Sequence, residues 1–329
     1  MLTSPIPLLG SVRIHRGLTQ QDLAARAGSS QGVISAIESG RTPFTVNLAQ
    51  TLADALDTVP ELIQQLAPEP LVLLRLQASL PAKVVNRLVA DLALAHFHVR
   101  QLLGPTTADV PHGADGASPI EHARALREAW SLPPGPIDNM IRLLETHGVV
   151  CLWRDTSAIH AGAVGSWAYG EHPVIFLGRH LWPRAARVEL ARELARRVLH
   201  GPSSVTSTNA VDEFADEFLI PEREVVWSPT GKVDRPRLAA LEETWGVPPA
   251  ALLRAAYRAG AISQTHRRKL HSVVLDIGTD AAPASRERPY TILHAVRRAA
   301  SSGRGFQAAA ASACIDLPAL QREYLADAG

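Results

Sequence analysis

The stretch Arg187-Val188-Glu189-Leu190-Ala191-Arg192-Glu193-Leu194-Ala195-Arg196-Arg197-Val198-Leu199-His200-Gly201 decides how the larger part of the chain is read. At 3.6 residues per turn Val188, Ala191, Ala195, Val198 and Leu199 share one face, and Gly201 supplies a stop. The spacing therefore predicts an amphipathic helix laid on a core. Glu193 precedes Arg196 and Arg197 at the spacing where a carboxylate and a guanidinium meet on a helix surface, so an ion pair with one of them is expected.

Working outward, Val149-Val150-Cys151-Leu152-Trp153 and Pro173-Val174-Ile175-Phe176-Leu177 are β-branched and aromatic runs bounded by turns, hence strands. A further strand is expected between them at Gly165-Ser166-Trp167-Ala168-Tyr169. Helices are expected over Ile120–Trp130 and Ile137–Thr146, broken by Pro133-Pro134-Gly135-Pro136. Beyond Asp212–Pro221 come helical patterns at 238–245, 248–259 and 262–270, a loop at 276–289, and short helices near 290–301, 304–313 and 316–326.

The frame of the Arg192 helix resembles the zinc helix of the ImmA/IrrE metallopeptidases, which runs roughly R-F-x-L-A-H-E-L-G-H-x-x-x-H-G. Gly135-Pro136-Ile137, Leu144-Glu145 with Gly148-Val149, Ser166-Trp167, Pro173-Val174-Ile175 and Phe214-Ala215 with Pro221 also fall where that family has similar residues. The resemblance implies an α+β zincin-like domain over 119–271. It also implies a lost metal site, because Arg192 and Arg196 stand where the family has its two histidines, and only Glu193 is kept. Guanidinium has no lone pair to give a metal and stays protonated. The family's third ligand is a glutamate shortly before the Phe-Ala pair. Here Ser207–Val211 hold no acid, while Asp212 aligns with a family Asn and Glu213 with a variable position. The expectation is a degenerate, non-catalytic domain with no metal, no cofactor and no catalytic residue. Arg192, Glu193 and Arg196 remain candidates for an anion or effector site, weighed against a solvated face of paired charges.

At the N-terminal end, Thr19 is an N-cap candidate for a helix over 20–27 that ends at Gly28, and Ser29 or Ser30 caps another over 31–38 closed by Ser39-Gly40. Two short helices joined by a Gly-containing turn are helix-turn-helix geometry. Leu18-Thr19-Gln20, Leu23-Ala24, Ala27-Gly28, Ser30-Gln31, Ile34-Ser35, Ile37-Glu38 and Gly40 resemble the phage-repressor/Cro-like (XRE) family. That resemblance implies a five-helix DNA-binding domain over 1–67. In it Ser30, Gln31, Gly32 and Ser35 face the bases, while Gln20 and Arg41 meet the phosphate backbone. Residues 1–60 carry only Arg13, Arg16, Arg26 and Arg41 as cations, against Asp22, Glu38, Asp54 and Asp57, so a homodimer on double-stranded operator DNA is expected.

Between these units, 68–118 reads as a connector. Leu71-Val72-Leu73-Leu74 is apolar, Val84–Leu94 is a helix suited to a dimer seam or to packing inside the chain, and Gly104–Gly116 reads as a linker. Residues 272–329 form a C-terminal helical segment. The fold class expected is thus mainly α with a small β-sheet.

A chain of 329 residues with 46% apolar and 20% charged residues suffices for two or three cores, and a net charge of +1 gives no global pull on nucleic acid, so binding must come from a local surface. The start lacks a basic n-region and no stretch approaches a membrane span, which with two unpaired cysteines, Cys151 and Cys314, sets a cytoplasmic expectation. His160, His172, His180 and His200 lack metal-ligand spacing, and Asp155-Thr156-Ser157 lacks a general-base partner. The reading is a transcriptional regulator whose second domain serves sensing or dimerisation, with a small anionic effector or a protein partner. The rivals are an active protease that cleaves a repressor or partner, and an interaction module.

Overall fold

The computed structural model describes residues 7–66, 80–105, 108–111, 113, 116–167, 171–199, 207–227, 233–275, 287–301 and 305–326. The chain is mainly helical with one three-stranded sheet among these residues. No helix among them is long and apolar enough to cross a membrane.

Five helices come first: α1 (Leu9–His15), α2 (Gln20–Arg26), α3 (Gln31–Glu38), α4 (Val46–Ala55) and α5 (Pro60–Gln64). Thr19 starts α2 with a reciprocal cap, its hydroxyl accepting from Asp22 N at 3.1 Å while Thr19 N donates to Asp22 Oδ2 at 2.8 Å. Gly28 takes a left-handed φ of 59° in the turn to α3, a conformation that a side chain would strain. Leu8, Leu9, Leu23, Ile34, Ile37 and Leu52 are fully buried together, and the amide of Leu8 reaches Gln65 O at 2.7 Å to close the bundle.

Helix α6 (Ala82–Leu103) is 22 residues long. It serves two cores at once. Ala93, Leu94 and Phe97 join the apolar cluster of the first five helices, while Leu88, Leu92, Ala95 and Val99 face the sheet. Of the two roles open to its sequence, packing inside the chain is the one observed. The Leu71–Leu74 run lies outside the described residues.

Helices α7 (Pro119–Ala129) and α8 (Met140–Thr146) lead into β1 (Val150–Arg154), β2 (Ala163–Ser166) and β3 (Val174–Gly178). Strand β3 is central, parallel to β1 and antiparallel to β2, with Cys151 opposite Ile175 and Gly165 opposite Ile175 from the other side. Alternation divides the strands between two cores: Cys151, Trp153, Ile175 and Leu177 face one side, Val150, Leu152, Val174 and Phe176 the other. A sheet covered on both faces reads as a continuous apolar run, which is how these strands read in the sequence. Strand β2 begins and ends earlier than the 165–169 expected, because pairing runs Ala163 to Leu177 and Ser166 to Val174.

On the first face lie α9 (Pro183–Leu199), α10 (Thr208–Leu219), α11 (Arg235–Trp245), α12 (Pro249–Arg258) and α13 (Gln264–Leu275). On the second lie α6 and the C-terminal helices α14 (Thr291–Ala299), α15 (Gly305–Ser312) and α16 (Leu317–Leu320), the last running on through Gln321–Leu325. Glu145 of α8 ties α14 down, accepting from Tyr290 N at 2.8 Å and Thr291 N at 3.1 Å. The described part of 104–116 is no free linker, a correction to the sequence reading. Val110 is buried in the core, Asp109 N donates to His147 O at 3.1 Å, and Gly113 N donates to Val198 O at 2.9 Å.

Candidate functional site

Helix α3 buries Ile34 and Ile37 and turns Gln31, Gly32 and Val33 outward, with Ser35 half-buried. Ser30 is its N-cap, the hydroxyl accepting from Val33 N at 3.3 Å, so its first task is to start the helix. The amide of Gln31 is oriented by glutamines of α2: Gln21 Nε2 donates to Gln31 Oε1 and Gln31 Nε2 donates to Gln20 Oε1, both at 3.5 Å. Gln20 is anchored in turn, since its Nε2 donates to Glu38 Oε2 at 2.8 Å. Glu38 is itself clamped by Arg13, whose Nε and Nη2 donate at 2.6 and 2.9 Å, and Arg13 Nη1 donates to Leu18 O at 2.8 Å. A continuous chain of hydrogen bonds thus runs from the core of the bundle to the exposed amide of Gln31. Arg41 is exposed and its Nε donates to Ser39 Oγ at 2.8 Å.

Residues 9–63 match the helix-turn-helix family model. They form a helix-turn-helix DNA-binding domain. No curated protein and no solved structure matches the chain.

Two features of the helix-turn-helix domain escape a reading of the sequence. Arg13, counted among its cations, is 9% exposed and neutralised by Glu38, so it does not reach phosphate. Val33 is 37% exposed beside Gln31 and offers an apolar contact of the kind a thymine methyl accepts. The signal was the break it makes in the helical pattern, an apolar side chain next to the buried position of Ile34.

In the second domain, α9 buries Leu190, Ala191, Leu194 and Ala195 and carries Arg192, Glu193 and Arg196, of which Glu193 is itself buried and reaches β2 at Gly165. Arg192 donates from Nε to Asp212 Oδ1 of α10 at 2.7 Å and from Nη1 to Glu189. Burial works against its charge, but these two carboxylates outweigh it and hold the guanidinium's pKa up. Arg196 is bound by Glu193 Oε1, while Glu193 Oε2 accepts from Gly165 N at 2.8 Å. Gly165 makes that approach feasible, because a Cβ there would stand 2.8 Å from Glu193 Oε2. Burial pushes the Glu193 carboxyl up to about 7 in spite of Arg196 and the Gly165 amide.

Of the two partners that the sequence allows Glu193, it takes Arg196. Arg197 lies over the Trp167 ring, 5.9 Å from its centroid. Nearer the start of α9, Arg184 binds Glu242 and Glu243, both at 2.7 Å, and Arg187 binds Glu287 at 2.7 Å. The Arg192–Glu193–Arg196 cluster is thus an internal lattice of ion pairs in which both arginines already hold carboxylates.

Among the described residues no three of His, Cys, Asp and Glu converge as a metal cluster. His172 sits between Gly104 O at 3.2 Å and Gly148 O at 3.4 Å, and His200 lies outside the described residues. Ser157 N and Oγ both bind Asp155 Oδ1, at 3.0 and 2.6 Å, and Thr156 Oγ1 donates to Ala161 O at 2.6 Å, so that triplet shapes a turn. The sequence also gave no sign of Asp216. It is 0% exposed and anchors Arg254 at 2.7 and 3.0 Å and Arg258 at 2.8 Å.

Proposed function

We propose that the chain is a sequence-specific transcriptional regulator that binds operator DNA as a homodimer and whose second domain is a metallopeptidase-like domain without a metal site, retained for sensing or dimerisation. The observation that carries it is the exposed α3 face with Gln31 held in place from the core of a matched helix-turn-helix domain. An amide oriented in this way can pair with both groups of an adenine edge in the major groove.

Dimerisation follows from a shortage of contacts. With Arg13 internal, the domain has few cations for phosphate, and a single domain reading a few bases falls short of a specific affinity. Two half-sites about 34 Å apart, on one face of the duplex, supply the difference.

The non-enzymatic reading is supported by Arg192 and Arg196, which hold their carboxylates where the resembling family places histidines. A protease of that kind needs a metal to lower the pKa of water, and a glutamate paired with arginine has no hydroxide to generate.

The test is selection of genomic fragments by the purified full chain, followed by footprinting. A protected inverted repeat is expected; uniform protection without sequence preference overturns the reading. Stoichiometric zinc in protein purified without a metal-affinity tag, with peptide cleavage abolished by Glu193→Gln, would replace it with the protease alternative.

A further inference from the structure

In the stretch Thr291-Ile292-Leu293-His294-Ala295-Val296-Arg297-Arg298, the residues Ile292, Leu293, Ala295 and Val296 are buried. They seat α14 on the core and turn His294, Arg297 and Arg298, spaced i, i+3 and i+4, to solvent on one face. A cleft of about 730 Å³ opens along that face, with Leu103, Arg297 and Arg298 in its lining and no carboxylate among the described residues.

Tyr290 and His294 line this cleft and also a second one, of about 840 Å³, bounded by the starts of α8 and α9 and the end of α11. His294 stands edge-on to the Tyr290 ring, centroids 5.5 Å apart, and Arg142 of α8 lies over the same ring at 5.8 Å. The two clefts therefore join into one groove around Tyr290.

The arginines of the groove are of two kinds. Arg184 and Arg187 are held by Glu242, Glu243 and Glu287, and Glu287 also accepts from Ile141 N at 2.9 Å. Arg142, Arg288, Arg297 and Arg298 are exposed and have no carboxylate partner among the described residues. Of the carboxylates in the lining, only Asp138 is left to face these four. In a chain whose net charge is +1, that is a strong local excess.

The excess also has a length. Tyr290, under Arg142, and Arg298 stand at opposite ends of α14, about 12 Å apart at 1.5 Å per residue. A compact anion would meet one end only. One strand of duplex DNA sets a phosphate about every 3.4 Å along the axis, so three or four phosphates pass a strip of that length. Guanidinium forks onto phosphate oxygens, and the helix-turn-helix domain, with Arg13 turned inward, is short of such contacts. Helix α6 carries both surfaces: Leu103 lines the groove, while Ala93, Leu94 and Phe97 seat the first five helices.

We infer that this groove is a second DNA-contacting surface, which binds the phosphate backbone of the duplex outside the base pairs read by α3. It adds affinity and carries no sequence information. The choice of partner rests on the regulator reading above; the excess of cations does not.

The test is fluorescence anisotropy of the full chain on two duplexes. One is the footprinted site trimmed to the base pairs at which sequence matters; the other carries two further helical turns on each side. The flanks should tighten binding and steepen its salt dependence. Arg142→Gln, Arg288→Gln, Arg297→Gln and Arg298→Gln combined should lower the slope of log affinity against log salt by about three to four per protomer on the flanked duplex. The trimmed duplex should bind as before, and the same four positions changed to Lys should keep most of the gain. Equal affinity of the parent protein for both duplexes, or a slope unchanged in the Gln variant, overturns the groove and leaves the regulator reading standing. A Lys variant as weak as the Gln variant overturns it too, because the charge would then be irrelevant. An unchanged slope with saturable binding of inorganic pyrophosphate, lost in the Gln variant, replaces duplex DNA with a small anion. No binding of the parent protein to any duplex overturns the regulator reading and the groove together.

Discussion

Glu38 accepts two hydrogen bonds from Arg13 across 25 residues of sequence and a third from Gln20, so a single carboxylate joins α1, α2 and α3. Removing one partner of a buried pair leaves the other charge uncompensated. Glu38→Ala should therefore cost about 3 kcal/mol, read as a drop in the thermal midpoint of the full chain. An unchanged midpoint would mean that the clamp is slack in solution.

The same network separates two roles at the DNA surface. Gln31→Ala should cost about 1–3 kcal/mol on the preferred site and relax specificity at one base pair, whereas Gln20→Ala should weaken binding to random duplex as well and, by releasing the Gln31 amide, blunt the preference at that base pair in part. Titrations of operator and random duplex with both variants distinguish the two. Equal losses on both duplexes from Gln31→Ala would contradict base reading.

His15 lies 2.8 Å from Asp91 of α6 and 3.8 Å from Glu323, and fastens the helix-turn-helix domain to the rest. Donation from its ring to the Asp91 carboxylate, and then the Glu323 carboxylate on its other side, raise its pKa to about 9 from 6.5. The folded value lies above the unfolded one, so the stabilisation is fully present below about 6.5 and is lost as pH rises through about 9. His15→Gln should lower the urea midpoint at pH 6 and change it little at pH 10. A pH-independent loss would remove the charge from the account.

Glu193 gives a second pH signature. Burial raises its pKa from 4.5 to about 7, so its contribution to stability is intact below about 4.5 and declines as pH rises through about 7. Glu193→Gln should flatten the fall in stability between those values relative to the parent protein. Parallel pH profiles for the two proteins would show that the carboxyl is solvated.

Helix periodicity, the Thr19 and Ser30 caps, the Gly28 turn and the β-branched runs of β1 and β3 are local signals, and all of them were legible in the sequence. What was not legible is contact between distant residues. Arg13 with Glu38 and Arg192 with Asp212, 20 residues apart, have no spacing that marks them, because their partners lie on different elements. The Gly104–Gly116 segment misleads for the opposite reason. Its Gly and Pro content describes an irregular backbone, and an irregular backbone still packs when its amides find carbonyls, as Asp109 and Gly113 do. At the candidate site, a sequence can show which side chains stand where ligands would be, but not that Glu189 and Asp212 have already claimed Arg192.

Helix α6 has a thermodynamic consequence. With Phe97 sealed into one apolar cluster and Leu92 into the other, melting either cluster strips burial from the helix that supports its neighbour. Heat should therefore unfold the protein in one calorimetric transition rather than two. A chain cut before Ala82 would leave Ala93, Leu94 and Phe97 facing water, so the C-terminal piece should aggregate, whereas residues 1–67 alone would lack the surface on which α1 rests.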